Sequence, residues 1–137
     1  MGLGQAGAGL GPGTFNERRG GMWIVSTIGF FSVVEKPWDR EQGTLTVRAR
    51  VRADLEALRE LYLPLLGGIV EDGTVDYRFR AQAPREAVAV ALAALARGID
   101  YDNFKAAVGR RLGAPRAAAY HEAWRAFHQL QEDQGPG

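Results

Sequence analysis

From Met22 onward the apolar positions recur every second residue, and beyond about Ala53 stretches of helical period alternate with them. Trp23 to Ile28 and Phe30 to Lys36 are two β segments broken at Gly29, which predicts either a hairpin or one bulged strand. Pro37 to Gly43 reads as a polar loop. The clearest strand is Thr44 to Arg52, where Leu45, Val47, Ala49 and Val51 alternate with Thr46, Arg48, Arg50 and Arg52. Such alternation suits an antiparallel sheet with one wet face. A helix is predicted from about Ala53 to Leu63, with Leu55, Leu58, Leu61, Tyr62 and Leu65 as its stripe and Pro64 ending it. The turn signal Asp72-Gly73 leads into a strand over Thr74 to Gln82, its inward positions being Val75, Tyr77, Phe79 and Ala81.

The remainder is helical. Pro84 opens one helix and Gly98 closes it, with Val88, Ala91, Leu92 and Leu95 inward. A short helix from about Asn103 to Leu112 takes Asp100 or Asp102 as its N-cap and Gly113 as its stop. Pro115 starts the last helix, which runs to about Gln131. Ala117, Tyr120, Trp124 and Phe127 stand at the 3-4-3 spacing of a buried seam. The order of elements predicts an α+β domain: a two-layer sandwich with a mainly antiparallel sheet, ferredoxin-like in kind, and C-terminal helices.

The ends differ in composition. Residues 1–21 hold eight glycines and little that could be buried. Two readings stand side by side: a disordered tail, or a purine-rich leader at Glu17 to Gly21 read in frame ahead of a start at Met22. Gly2 to Gly7 matches GxGxxG by letter but lacks the strand before it and the helix after it that dinucleotide binding requires. The domain is placed at 22–131, with 132–137 a frayed end.

With no Cys among 137 residues, disulfides and thiolate metal sites are excluded. The apolar residues are periodic rather than massed into a span of about 20, so no membrane segment is expected, and the cytoplasm is the default location. Net charge is +1, carried by fifteen Arg and only two Lys, a bias that GC-rich coding explains without any nucleic acid.

Catalytic material is scarce. Ser26 and Ser32 are the only serines and fall in strands. His121 and His128, seven residues apart on one helix, lie about 10 Å apart along its axis, too far to share a metal. No cofactor and no metal site is expected, and an enzyme is the less favoured class, with Asp100 and His121 its one available acid–base pair.

Two constellations remain. Arg48, Arg50 and Arg52 with Arg78 and Arg80 share one sheet face if their strands are neighbours, a surface suited to single-stranded nucleic acid. By parity Tyr77 and Phe79 turn to the core, leaving Trp23, Phe30 or Phe31 to supply a ring. The bland alternative is a solvated face partly neutralised by Asp76, Glu35 and Glu41. Asp100, Tyr101, Asn103, Lys105, Tyr120 and His121 could line a pocket where the last two helices meet, or could simply cap, pack and solvate.

The segments MWIVSTIGFFSVVEK, LTVRARVRADLEAL, DYRFRA, IDYDNFK and YHEAW, in that order, resemble an uncharacterised family of small bacterial proteins. The resemblance covers about Met22 to Leu130. It implies a domain extent and a start near Met22, and it carries no activity or residue roles. A non-catalytic binding or protein-interaction domain is therefore the leading expectation. A nucleic-acid-associated protein using the arginine face comes next, and an enzyme third; the partner itself is not legible.

Overall fold

The computed structural model describes residues 20–135, so expectations for residues 1–19 and 136–137 lie outside the described residues. The α+β class is observed. Elements run β1 (Met22–Ser26), β2 (Gly29–Val34), α1 (Pro37–Gln42), β3 (Thr44–Ala49), α2 (Arg52–Leu61), β4 (Val70–Glu71), β5 (Phe79–Pro84), α3 (Arg85–Arg97), α4 (Phe104–Leu112) and α5 (Ala114–Glu132). The sheet is antiparallel throughout, in the order β1-β2-β3-β5-β4. That succession is not the βαββαβ of a ferredoxin-like fold.

The break at Gly29 is a hairpin, with Ser26 opposite Gly29 across a two-residue turn. Gly29 has φ +157°, and a Cβ there would stand 2.6 Å from Cγ of Asp54. Glycine is required because the Asp54 carboxylate comes in over the turn to accept the Phe30 N–H at 3.0 Å.

The two faces of the sheet divide by parity. Phe31, Val33, Val47, Ala49, Ala81 and Ala83 face α2 and α3, whose Leu55, Leu58, Val88 and Ala91 complete the core. Leu63 and Leu66, just past α2, are buried as well. Leu61, the last residue of α2, is exposed, and so is Leu65, because the chain leaves the helix before Pro64 and Leu65 no longer continues the predicted stripe. Arg59 holds that exit by donating to the carbonyls of Leu66 and Gly67.

Three boundaries depart from the sequence expectation. Pro37–Gln42 is a helix, not a loop: Pro37 opens it, the Asp39 carboxylate accepts the Lys36 N–H while the Asp39 N–H donates to the Lys36 carbonyl, and Gly43 closes it at φ +68°. The third strand stops at Ala49, so Val51 is the exposed N-cap of α2 and Arg52 is helical. The strand expected from Thr74 begins only at Phe79, because Asp72 folds the preceding segment into a turn. Its carboxylate accepts from Thr74 N and Oγ1, and its N–H donates to the Arg78 carbonyl.

Asp39 anchors α1 on the second face. It is wholly buried, and its four acceptor positions are filled by Thr44 Oγ1 (2.5 Å), Thr46 Oγ1 (2.8 Å), Gln82 Nε2 (2.7 Å) and Lys36 N (2.8 Å). Burial pushes its pKa up, but these four bonds outweigh burial and hold the carboxyl below its ordinary range. Glu35, with its side chain almost covered, takes Arg40 at 3.2 Å and Arg85 at 2.5 Å, tying the start of α1 to α3.

Candidate interaction surface

The C-terminal helices join the rest of the molecule through a small set of polar ties. Arg116 of α5 makes a two-pronged ion pair with Asp54 of α2, at 2.9 and 3.0 Å. This hydrogen-bonded pairing outweighs burial and raises the Arg116 pKa, holding the cation firmly charged. Tyr120 donates its hydroxyl to the Ser26 carbonyl at 3.0 Å, and burial pushes its pKa up. Phe104 of α4 stacks on Tyr120 with ring centres 6.0 Å apart, and Phe127 meets Trp23 of β1 edge-on at 6.5 Å. Asn103, rather than Asp100 or Asp102, caps α4, accepting from Ala106 N at 2.8 Å. Residue 103 directly precedes the first helical turn with an extended backbone, which brings its side-chain Oδ1 to the N3 N–H.

The seam expected to be buried is open. None of the 19 residues of α5 is buried, and Trp124 (59%), Phe127 (53%) and Leu130 (64%) are more than half exposed. Trp23, on the edge strand, is 60% exposed beside them. The reason is geometric: Ala117 and Tyr120 reach α4 and β1, but the second half of α5 runs past the end of α4. Between α4, α5 and β1 lies an apolar groove of about 430 Å³, walled by Val25, Phe104, Val108, Tyr120, Trp124 and Phe127. Trp124 stacks between His121 and His128, with ring centres at 5.5 and 5.1 Å.

Of the pocket residues expected from the sequence, Lys105, Tyr120 and His121 line the groove, and Asn103, Lys105 and His121 line a neighbouring hollow between α4 and α5. Asp100, Tyr101 and Asn103 line a separate shallow hollow with Arg110. Asp100 lines that hollow, whereas His121 lines the groove. Among the described residues no group of three metal-ligating side chains occurs, and no helix is long and apolar enough to cross a membrane.

The arginine set divides as well. Of the five, only Arg48 and Arg80 are paired strand residues, directly opposite each other on β3 and β5. Arg50 lies beyond the strand and pairs with Asp76 at 3.2 Å; Arg52 pairs with Glu56 on α2, and Arg78 with Glu71. Trp23 and Phe30 stand on the arginine face, and Phe31 is in the core. Tyr77 is buried, but from the arginine side: the Arg48 and Arg50 guanidinium centres lie 4.5 and 4.6 Å from its ring centre, and Phe30 lies alongside. Strand parity fails for Tyr77 because it precedes the first paired residue of β5. Sequence reasoning misses the exposed row on β1 and α5 because its spacing is that of a core seam, and spacing does not say what covers it.

No protein family matches this chain, no curated protein is significantly similar to it, and no solved structure matches it. The likeness to small bacterial proteins rests on its five sequence segments alone.

Proposed function

We propose that this domain is a non-catalytic protein-interaction module that works as a dimer, with α5 of one copy lying across the groove of the other. A single observation carries the reading: a 19-residue helix with the spacing of a buried seam has no buried side chain, and an apolar groove runs beside it. Contiguous exposed aromatic surface of this kind marks a contact site.

The occupant must present an apolar helical row, which α5 itself supplies. Charge supports the same partner. Lys105, Arg110 and Arg111 on α4 have no ion pair among the described residues, and α5 ends in Glu132 and Asp133. In a two-fold contact centred near Trp124 the helices run antiparallel. The acidic end of each then falls beside the start of its partner's α5 and the basic end of its α4. Trp23, Trp124 and Phe127, each more than half exposed, put about 700 Å² of ring surface into such a pair. That is over half of the ~1,200 Å² at which stable interfaces begin.

Sedimentation velocity from micromolar to millimolar protein tests the proposal. Dimerisation is expected, weakened by salt and abolished by Trp124→Ala. Because Trp124 is exposed, that substitution should cost less than about 1 kcal/mol of folding stability, against about 3–5 for a buried ring. A chain that stays monomeric at every concentration, or a dimer indifferent to Trp124→Ala and Phe127→Ser, overturns it.

A further inference from the structure

Most arginines of the sheet region have a carboxylate partner: Arg40 and Arg85 share Glu35, Arg50 pairs with Asp76, Arg52 with Glu56 and Arg78 with Glu71. Arg48 and Arg80 have none, although the Arg48 guanidinium also lies over the Tyr77 ring at 4.5 Å. They face each other across β3 and β5, and like charges directly opposite in a ladder destabilise it. Arg48 gives Nη2 to Ser32 Oγ at 2.7 Å, and Arg80 gives Nη2 to the Tyr77 carbonyl at 3.3 Å, both neutral acceptors. Nε of each is buried with no acceptor, and Nη1 of neither has a partner among the described residues. A buried donor left unsatisfied costs about 1–3 kcal/mol, so two side by side call for an acceptor.

The carboxylates nearby are engaged elsewhere. Asp39, on the adjacent rung, is filled by two threonines, Gln82 and a backbone N–H. Asp72 feels the Arg80 charge, but its carboxylate is bound to Thr74 and forms no ion pair with Arg80.

We propose that Arg48 and Arg80 form a binding site for a phosphate group. Two guanidiniums on directly opposed residues offer a charge of +2 and several N–H donors. A phosphate, carrying about −1.5 to −2 at neutral pH with three acceptor oxygens, matches both, whereas a carboxylate neutralises only one. Ser32 and Gln82 flank the pair on the same face. Trp23 continues the rung, opposite Ser32 and about 10 Å from Arg48 at the usual strand spacing. The organic part of a phosphate ester has an exposed ring to rest on there. The two arginines are not part of the α5 groove, so phosphate binding to them does not depend on dimerisation; Trp23 alone is common to both surfaces.

The test is calorimetric titration of the full chain at constant ionic strength with inorganic phosphate, glycerol phosphate, a nucleoside monophosphate and acetate. Phosphate and its esters should bind and acetate should not. Arg48→Gln and Arg80→Gln should each weaken binding about 10- to 100-fold, the range for one charged hydrogen-bond partner. Arg52→Gln, which removes an equal charge on α2, should leave it unchanged. Tighter binding of the nucleotide than of glycerol phosphate assigns the ester's ring to Trp23; equal affinities assign the phosphate group alone. Each variant removes half of a like-charged pair and should fold, and either one suffices. Acetate binding as tightly as phosphate, an equal loss in Arg52→Gln, or no loss in either site variant overturns the proposal.

Discussion

Removing Arg116 should undock the C-terminal helices, because its largely buried ion pair with Asp54 ties α5 to α2. Asp54 is only 3% exposed, and both its oxygens are held by Arg116, at 2.9 and 3.0 Å, with the Phe30 N–H as a third donor. In Arg116→Met the methylene stem is largely kept and the guanidinium is lost, which leaves a buried carboxylate with one backbone donor and the first turn of α2. Breaking a buried pair from one side costs about 3–5 kcal/mol. Against a total stability of about 5–15 kcal/mol, that is enough to lower the melting temperature by well over 10 °C. The direct apolar ties of α5 to the sheet are few, so the loss should concentrate in α4 and α5. Urea melts give the total cost, and native-state hydrogen exchange locates it. Fast exchange should appear in α4 and α5 while β2 and β3 stay protected. The double variant Asp54→Asn with Arg116→Met should recover part of the loss, since no charge is then stranded. A single-variant cost below about 1 kcal/mol, or exchange rising uniformly, would show that packing rather than this pair seats α5.

Two shorter predictions concern the buried carboxylates. Gly29→Ala should cost about 1–3 kcal/mol, because the new Cβ lands 2.6 Å from Asp54 Cγ at a positive φ; a melt unchanged from wild type would refute the close approach. The Asp39 carboxyl has a folded pKa below its unfolded value, so its contribution to stability is present above the unfolded pKa of about 3.9 and is lost as pH falls through the folded value. Asp39→Asn should therefore be less stable than wild type at neutral pH and show a shallower decline in urea midpoint between about pH 5 and about pH 2; parallel declines would refute this.

Much of the architecture is readable from local pattern. The alternation of Leu45, Val47 and Ala49 defines β3, Pro84 and Gly98 bracket α3, and Pro115 sets the start of α5. In each case a short-range rule, period or cap chemistry, is sufficient. The pattern also places Gly29 at a break, although not its reason, since Asp54 arrives from 25 residues further along the chain. A loop over 37–43 is the wrong expectation because Pro, Asp and Gly are helix boundary residues as much as loop residues, and the burial that selects the helix comes from Thr46 and Gln82.

The sites are less legible, because each depends on what lies opposite. Sequence parity groups five arginines, and only register and the ends of β3 and β5 reduce that set to Arg48 and Arg80. Asp76 and Glu71 pair with Arg50 and Arg78 and leave those two cations without a carboxylate. The 3-4-3 spacing of Ala117, Tyr120, Trp124 and Phe127 determines that α5 has an apolar face. Whether that face is covered is a property of the neighbours: α4 is only nine residues long and leaves the second half of α5 open. Periodicity records which side of a helix avoids water, and tertiary structure alone decides whether this chain supplies the cover.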